Sequence, residues 1–129
     1  MKRIICFCLI SVICLFAFIG CAVKNSGKNV EVAIVNQIDG TTISETLSLP
    51  DSSPAGEYIR QLCNKKDIVT KGVDEGYIYA VGENENSDIY AWMFYVNGTL
   101  SEVGVNDYIP ADGDKIELIY LDWTQLSFE

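Results

Sequence analysis

Apolar and polar positions alternate at strand period, then at helical period, then at strand period again. From Asn29 to Val35 the apolar residues Val30, Val32 and Ile34 fall on one face of a predicted strand. Asp39-Gly40 is a hairpin turn signal. Thr41 to Leu49 then reads as a second strand, rich in Thr and Ser, with Ile43, Leu47 and Leu49 as its apolar positions. The period changes after Pro50. Ser53 is placed to cap a helix, with Pro54 at its first position, and Tyr58, Ile59 and Leu62 share one face as far as about Lys65. Gly56 in the first turn works against that helix.

Strand period returns in the second half. Ile68-Val69 is a short extended candidate and Gly76 to Val81, "GYIYAV", a strand. Gly82 to Asp88 is an acidic loop, and Ile89 to Val96 is a strand that turns at Asn97-Gly98. Asp107 to Asp114 is a loop around Pro110, and Lys115 to Leu121 is the last strand before Trp123. Two strands, one helix and about three more strands predict an α+β fold: a β-grasp-like mixed sheet of about five strands with one packed helix. That helix, of about 11 residues, is about 17 Å long and can cover only part of one sheet face.

One strand breaks the usual rule. In "YAWMFYV", Tyr90 to Val96, both parities are apolar: Tyr90, Trp92, Phe94 and Val96 on one, Ala91, Met93 and Tyr95 on the other. A strand of a small sheet normally wets one face, so the second face needs cover from core, partner or ligand. Tyr77, Tyr79, Tyr90, Trp92, Tyr95, Tyr108, Tyr120 and Trp123 crowd the second half. A domain with one helix is expected to leave two to four of them at least half exposed.

The N-terminus is not part of this pattern. Lys2 and Arg3 precede an almost unbroken apolar run, Ile4 to Ile19, of signal-peptide rather than membrane-span length. Gly20-Cys21 at its end resembles the bacterial lipobox, with Phe18 where Leu is usual. The expectation is a lipoprotein signal peptide over 1–21, lipidation at Cys21, a flexible tether over 22–29 and a domain over 30–129. Such a protein sits on the cell membrane, lipid-anchored and facing the extracellular side. A plain signal anchor or simple cleavage at Gly20 is the alternative. Cys6, Cys8 and Cys14 belong to the leader, so Cys63 is the one free thiol of the domain and reads as a small buried apolar side chain.

Beyond the leader, seven basic residues face all eighteen acidic ones, a formal charge of −11. That surface repels nucleic acid, and no basic stripe offsets it. The chain has no His, which removes the commonest general base and nearly every catalytic zinc site. Asp107, Asp112 and Asp114 lack EF-hand spacing and read as turn residues, so no metal is expected. No phosphate-binding Gly motif is present. The expectation is a binding protein, neither an enzyme nor the host of a resident cofactor.

The stretch Trp92 to Trp123 carries Asn97-Gly98, Leu100, Gly104, Asp107-Tyr108, Pro110, Asp112-Gly113-Asp114 and the Ile116-Glu117-Leu118 strand. In these residues it resembles the C-terminal β-domain of the transcobalamin and intrinsic-factor family and its bacterial DUF4430 relatives. The resemblance implies a β-grasp-like fold and a small ligand, cobalamin or a related corrinoid, captured for uptake. The large helical domain of the vertebrate members is absent here, so the resemblance also implies a second binding protein or an uptake transporter as partner. It points to Trp92, Tyr95, Thr99, Leu100, Ser101 and Glu102 as ligand-binding, with Asp107 and Tyr108 as matching residues of structural use. The other reading is a non-catalytic surface module that docks a protein or glycan partner through an apolar patch or a free sheet edge.

Overall fold

The Asp39-Gly40 turn joins the first two strands as expected: Gly40 takes φ +78° and its N–H donates to Asn36 O at 2.9 Å. In the computed structural model, which describes residues 27–128, strand β1 is Gly27–Asn36 and β2 is Thr41–Pro50. The leader, Cys21 and residues 22–26 of the expected tether lie outside the described residues. β1 starts two residues earlier than the pattern indicated, because Gly27 and Lys28 still pair with Pro50 and Leu49. Helix α1 is Ala55–Lys65, followed by β3 (Thr70–Lys71), β4 (Ala80–Val81), β5 (Asn84–Glu85), β6 (Tyr90–Val96), β7 (Thr99–Leu100) and β8 (Lys115–Asp122). A 3-10 turn at Trp123–Gln125 follows.

The main sheet has the order β2-β1-β8-β6-β7, with β1 and β8 parallel at its centre and every other pair antiparallel. A parallel pair needs a crossover, and the whole stretch between β1 and β8 supplies it. The result is the mixed five-stranded α+β sheet that the element order implied.

Even-numbered residues of β1, β6 and β8 meet on one face. Val30, Val32 and Ile34 pack beside Ile116, Leu118 and Tyr120, and beyond these lie Trp92 and Phe94. α1 buries Ala55, Tyr58, Ile59, Leu62 and Cys63 into that core. The helix is too short to reach β6. A second sheet, β3-β4-β5, covers that half, receiving the Trp92 Nε1–H at Asn84 O (2.9 Å) and the Tyr120 hydroxyl at Glu85 O (2.8 Å). Two buried side chains thereby find acceptors for their polar tips on the backbone of β5.

Several local expectations change. The predicted strand Gly76–Val81 shrinks to Ala80–Val81, because Gly72 to Tyr77 is a turn. Gly76 takes φ +76°, and the N–H groups of Gly76 and Tyr77 donate back to Val73 O and Gly72 O. The extended segment expected at Ile68-Val69 forms at Thr70–Lys71, and the acidic loop contains β5. The helix starts one residue later, with Pro54 at the cap and no side-chain cap. Its first free N–H groups, on Ala55 and Gly56, donate to Tyr108 O and Val105 O, both at 2.8 Å. Among the eight aromatics only Tyr77 is more than half exposed, at 62%. The second sheet, unforeseen in the pattern, is what covers Trp92 and Tyr120.

Candidate ligand-facing cleft

The doubled apolar strand resolves by parity. Trp92 points into the core, 4% exposed, with its ring centroid 4.9 Å from that of Tyr120. Tyr95 lies on the opposite face, opposite Glu117 on one side and Leu100 on the other. Residues three apart on a strand cannot share a face, so Trp92 and Tyr95, expected to act as one site, are separated by the sheet. The Tyr95 side also carries Ala33, Ile119 and Leu121, which are buried, and Val35, Ala91 and Met93, which are half-buried. Lys115 lies within ion-pair reach of Glu31 (3.9 Å) and Glu117 (4.0 Å) there.

Beside β6 a cleft of about 190 Å³ opens between the Gly76–Ile78 segment and the Leu100–Val105 loop. Trp92, Phe94, Ile78, Val105 and Leu118 are its buried members, and Tyr77 and Val103 (47% exposed) are its exposed ones. The loop is held in place from both ends. Ser101 Oγ donates to Val103 O at 2.8 Å, Asn106 Nδ2 donates to Val73 O at 2.6 Å, and a Cβ on Gly104 would stand 2.7 Å from Gly76 O. The close approach at Gly104 leaves no room for a side chain.

Of the expected ligand residues, the cleft gathers Trp92, Leu100 and Ser101. Thr99 and Glu102 are exposed on the hairpin outside it, and Tyr95 is on the other face. Tyr77, Ile78 and Val103 were missed as site residues. They come from segments distant in sequence, and only the packing of the Gly72–Tyr77 turn against the Ser101–Asn106 loop brings them together.

The Asp-rich loop is a structural knot. Asp114 accepts from the Tyr108 hydroxyl (2.6 Å), from Asn97 Nδ2 (3.0 Å) and from Ala111 N–H (2.9 Å). Burial alone would raise its carboxyl, but the hydrogen bonds from Asn97, Tyr108 and Ala111 outweigh it and hold the group below its ordinary range. The same bond, with burial and the adjacent charge, pushes Tyr108 up to about 12. Asp112 accepts from Asn29 N–H at 2.7 Å, tying the loop to β1. Among the described residues, no group of three or more His, Cys, Asp or Glu side chains converges to hold a metal. Cys63 is fully buried, and burial pushes its thiol up to about 11. The cleft therefore offers apolar contact, aromatic edges and backbone groups for binding.

A five-stranded mixed sheet with a parallel central pair and one helix defines a β-grasp-like domain, here with an aromatic cleft on its helix side. Residues 57–122 match the family described as "Domain of unknown function (DUF4430)", and the chain belongs to that family. Solved structures share the fold, among them these two. One is a protein of Ruminococcus gnavus ATCC 29149 provisionally described as metal binding, with TM-score 0.56 and 19% identity, over 74% of this chain and 97% of that one. The other is haptocorrin in complex with Cbi, with TM-score 0.66 and 14% identity, over 77% of this chain. The present chain spans only 26% of the haptocorrin chain. No curated protein matches the sequence significantly.

Proposed function

We propose that the chain is a surface-anchored lipoprotein whose domain supplies one wall of a small-ligand site, the ligand being cobalamin or a related corrinoid taken up by the cell. The observation that carries this reading is the Trp92-Phe94 cleft, rimmed by Tyr77 and Val103, on a fold shared with a protein solved with Cbi. Sites that engulf a ligand occupy about 300–1,000 Å³. At about 190 Å³ this cleft takes a projecting part of such a molecule, and the rest is left to a second binding protein or a transporter. The role is binding without catalysis. Cys21, lipidated, would hold the domain at the outer face of the membrane.

Titrating the full chain in detergent with cyanocobalamin and with cobinamide by calorimetry tests the ligand. Binding of either is expected. Val103→Asp, on the exposed rim, should weaken it about tenfold, the equivalent of about 1.4 kcal/mol, without lowering thermal stability. Tyr77→Ser should weaken it likewise, with a small loss of stability because the Tyr77 hydroxyl accepts from Asn86 Nδ2 at 2.8 Å. No heat from either corrinoid at high micromolar concentration would sink the proposal. For the anchor, Cys21→Ser should move the protein out of the membrane fraction; persistent association would contradict lipidation. The alternative, a surface module docking a protein or glycan partner, draws on a different feature, the edge of β2, which pairs with no further strand among the described residues.

A further inference from the structure

The two long edges of the main sheet are treated differently. The outer edge of β6 is closed. β7 pairs with Tyr95 and Val96, Ser101 N–H donates to Phe94 O, Asn86 Oδ1 accepts from Trp92 N–H, and Ser87 N–H donates to Tyr90 O. β2 has no such cover among the described residues. It runs ten residues opposite β1 in unbroken register, with no bulge and with Pro only at its last position. Sheet edges are commonly protected by Pro, bulges, charged side chains or short length; β2 has Pro only at its end and one charge, Glu45, which Lys65 and Lys66 meet.

Its outward groups follow from the ladder. Glu31 N–H and Gln37 N–H donate to Asp114 O and Tyr120 O, so odd residues of β1 face β8 and even ones face β2. Val30, Val32, Ile34 and Asn36 pair with Leu47, Glu45, Ile43 and Thr41. The backbone N–H and C=O of Thr42, Ser44, Thr46 and Ser48 therefore point away from the sheet. Every one of these four carries a hydroxyl and no charge.

We infer that this edge is a strand-addition surface for a second copy of the same chain, joined antiparallel about a two-fold axis at Glu45. That register pairs Thr42 with Ser48 and Ser44 with Thr46 of the other copy, and it uses all four outward donors and acceptors on each side. Hydroxyls then face hydroxyls across the seam, a favourable cross-strand pairing. A chain this acidic resists its own approach, but the β2 flank carries basic side chains that offset it. Lys28, Lys65 and Lys66, three of the six basic residues described, lie along it. Glu45 is met by Lys65 Nζ at 2.7 Å and Lys66 Nζ at 3.8 Å. The axis thus gathers two carboxylates and four ammonium groups rather than two bare carboxylates. The dimer is independent of whether a corrinoid binds.

The test is disulfide trapping of the full chain in the cells that produce it. On the axis, Glu45 opposes its own copy in a non-hydrogen-bonded pair, where Cα atoms are about 4.5 Å apart, within disulfide range. Glu45→Cys removes the carboxylate that offsets Lys65 and Lys66. Mild oxidation at about 1 M NaCl, where charge acts over only about 3 Å, should then give a species of twice the monomer mass. Glu57→Cys, exposed on the helix, and the unsubstituted chain should give none. Adding Ser44→Pro, which deletes only an outward N–H, should abolish trapping, and Thr46→Lys should do the same if the proline variant fails to fold. No dimer from Glu45→Cys, equal dimer from Glu57→Cys, or trapping that survives both edge variants would overturn the inference. Capture of another protein in place of a second copy would overturn it as well.

Discussion

At Gly72 the backbone takes φ +98°, and a Cβ there would fall on the Tyr77 carbonyl oxygen. The turn it makes sets one wall of the cleft. Gly72→Ala should cost about 2–3 kcal/mol, read as a lower urea midpoint at unchanged slope, with the cleft wall loosened. Gly56 shows why composition alone misleads. In the first turn of α1 it weakens the helix by propensity, yet a side chain there would meet Asn106 Oδ1, which belongs to the clamp on Val73 O. Asp114 and Tyr108 give a residue-scale pH dependence. The carboxyl is held low in the fold, so its stabilisation is present above its ordinary pKa of 3.8 and is lost as pH falls below that value. The phenol is held high, so its contribution is intact below pH 10.0 and is lost as pH rises toward about 12. Melting across pH 3 to 12 should show both losses, and Asp114→Asn should flatten both.

At the scale of elements, the division of labour on the helix side decides which residues can act. α1 covers β1 and β2, and the β3-β4-β5 sheet covers β6. Trp92 joins that second sheet to the first through its Nε1–H bond to Asn84 O. Trp92→Phe keeps most of the apolar volume but removes the indole N–H bond that ties β5 to β6. A loss of about 1 kcal/mol is expected, with faster amide exchange in β4 and β5 than in β1. If β1 and β5 lose protection equally, the second sheet is not a separate unit. Trp92→Ala would open a cavity costing about 3–5 kcal/mol. It would therefore report on folding before binding, which is why the rim residues Tyr77 and Val103 are the sharper probes of the cleft.

At the scale of the whole molecule, charge sets behaviour in solution. Eighteen acidic residues against nine basic ones, with three of the basic ones engaged beside β2, leave most of the surface one sign. Self-repulsion of this kind opposes the compact state and is screened by salt. Raising NaCl from about 10 mM, where charges interact over about 30 Å, to 1 M, where the range is about 3 Å, should raise the thermal midpoint. A midpoint that falls instead would mean that the ion pairs at Glu45 and Lys115 outweigh the general repulsion.

Much of this architecture is determined by the sequence alone. The alternation of Val30, Val32 and Ile34, the Asp39-Gly40 and Asn97-Gly98 turns, and the helical spacing of Tyr58, Ile59 and Leu62 specify β1, β2, α1, β6 and β8, because each depends on neighbours a few positions away. The motif around Asp107 to Asp114 likewise marks the family before any coordinates are drawn. The tertiary structure alone decided the rest. It turned most of "GYIYAV" into a turn and a two-residue strand, since the Gly72 turn is fixed by contacts with the Ser101–Asn106 loop. It also put Trp92 inside and Tyr95 on the far face, and it joined Tyr77 to Val103. A strand's periodicity states which residues share a face. Which face meets the core is set by what packs there, and for β6 that is a small sheet whose strands are too short to leave a pattern of their own.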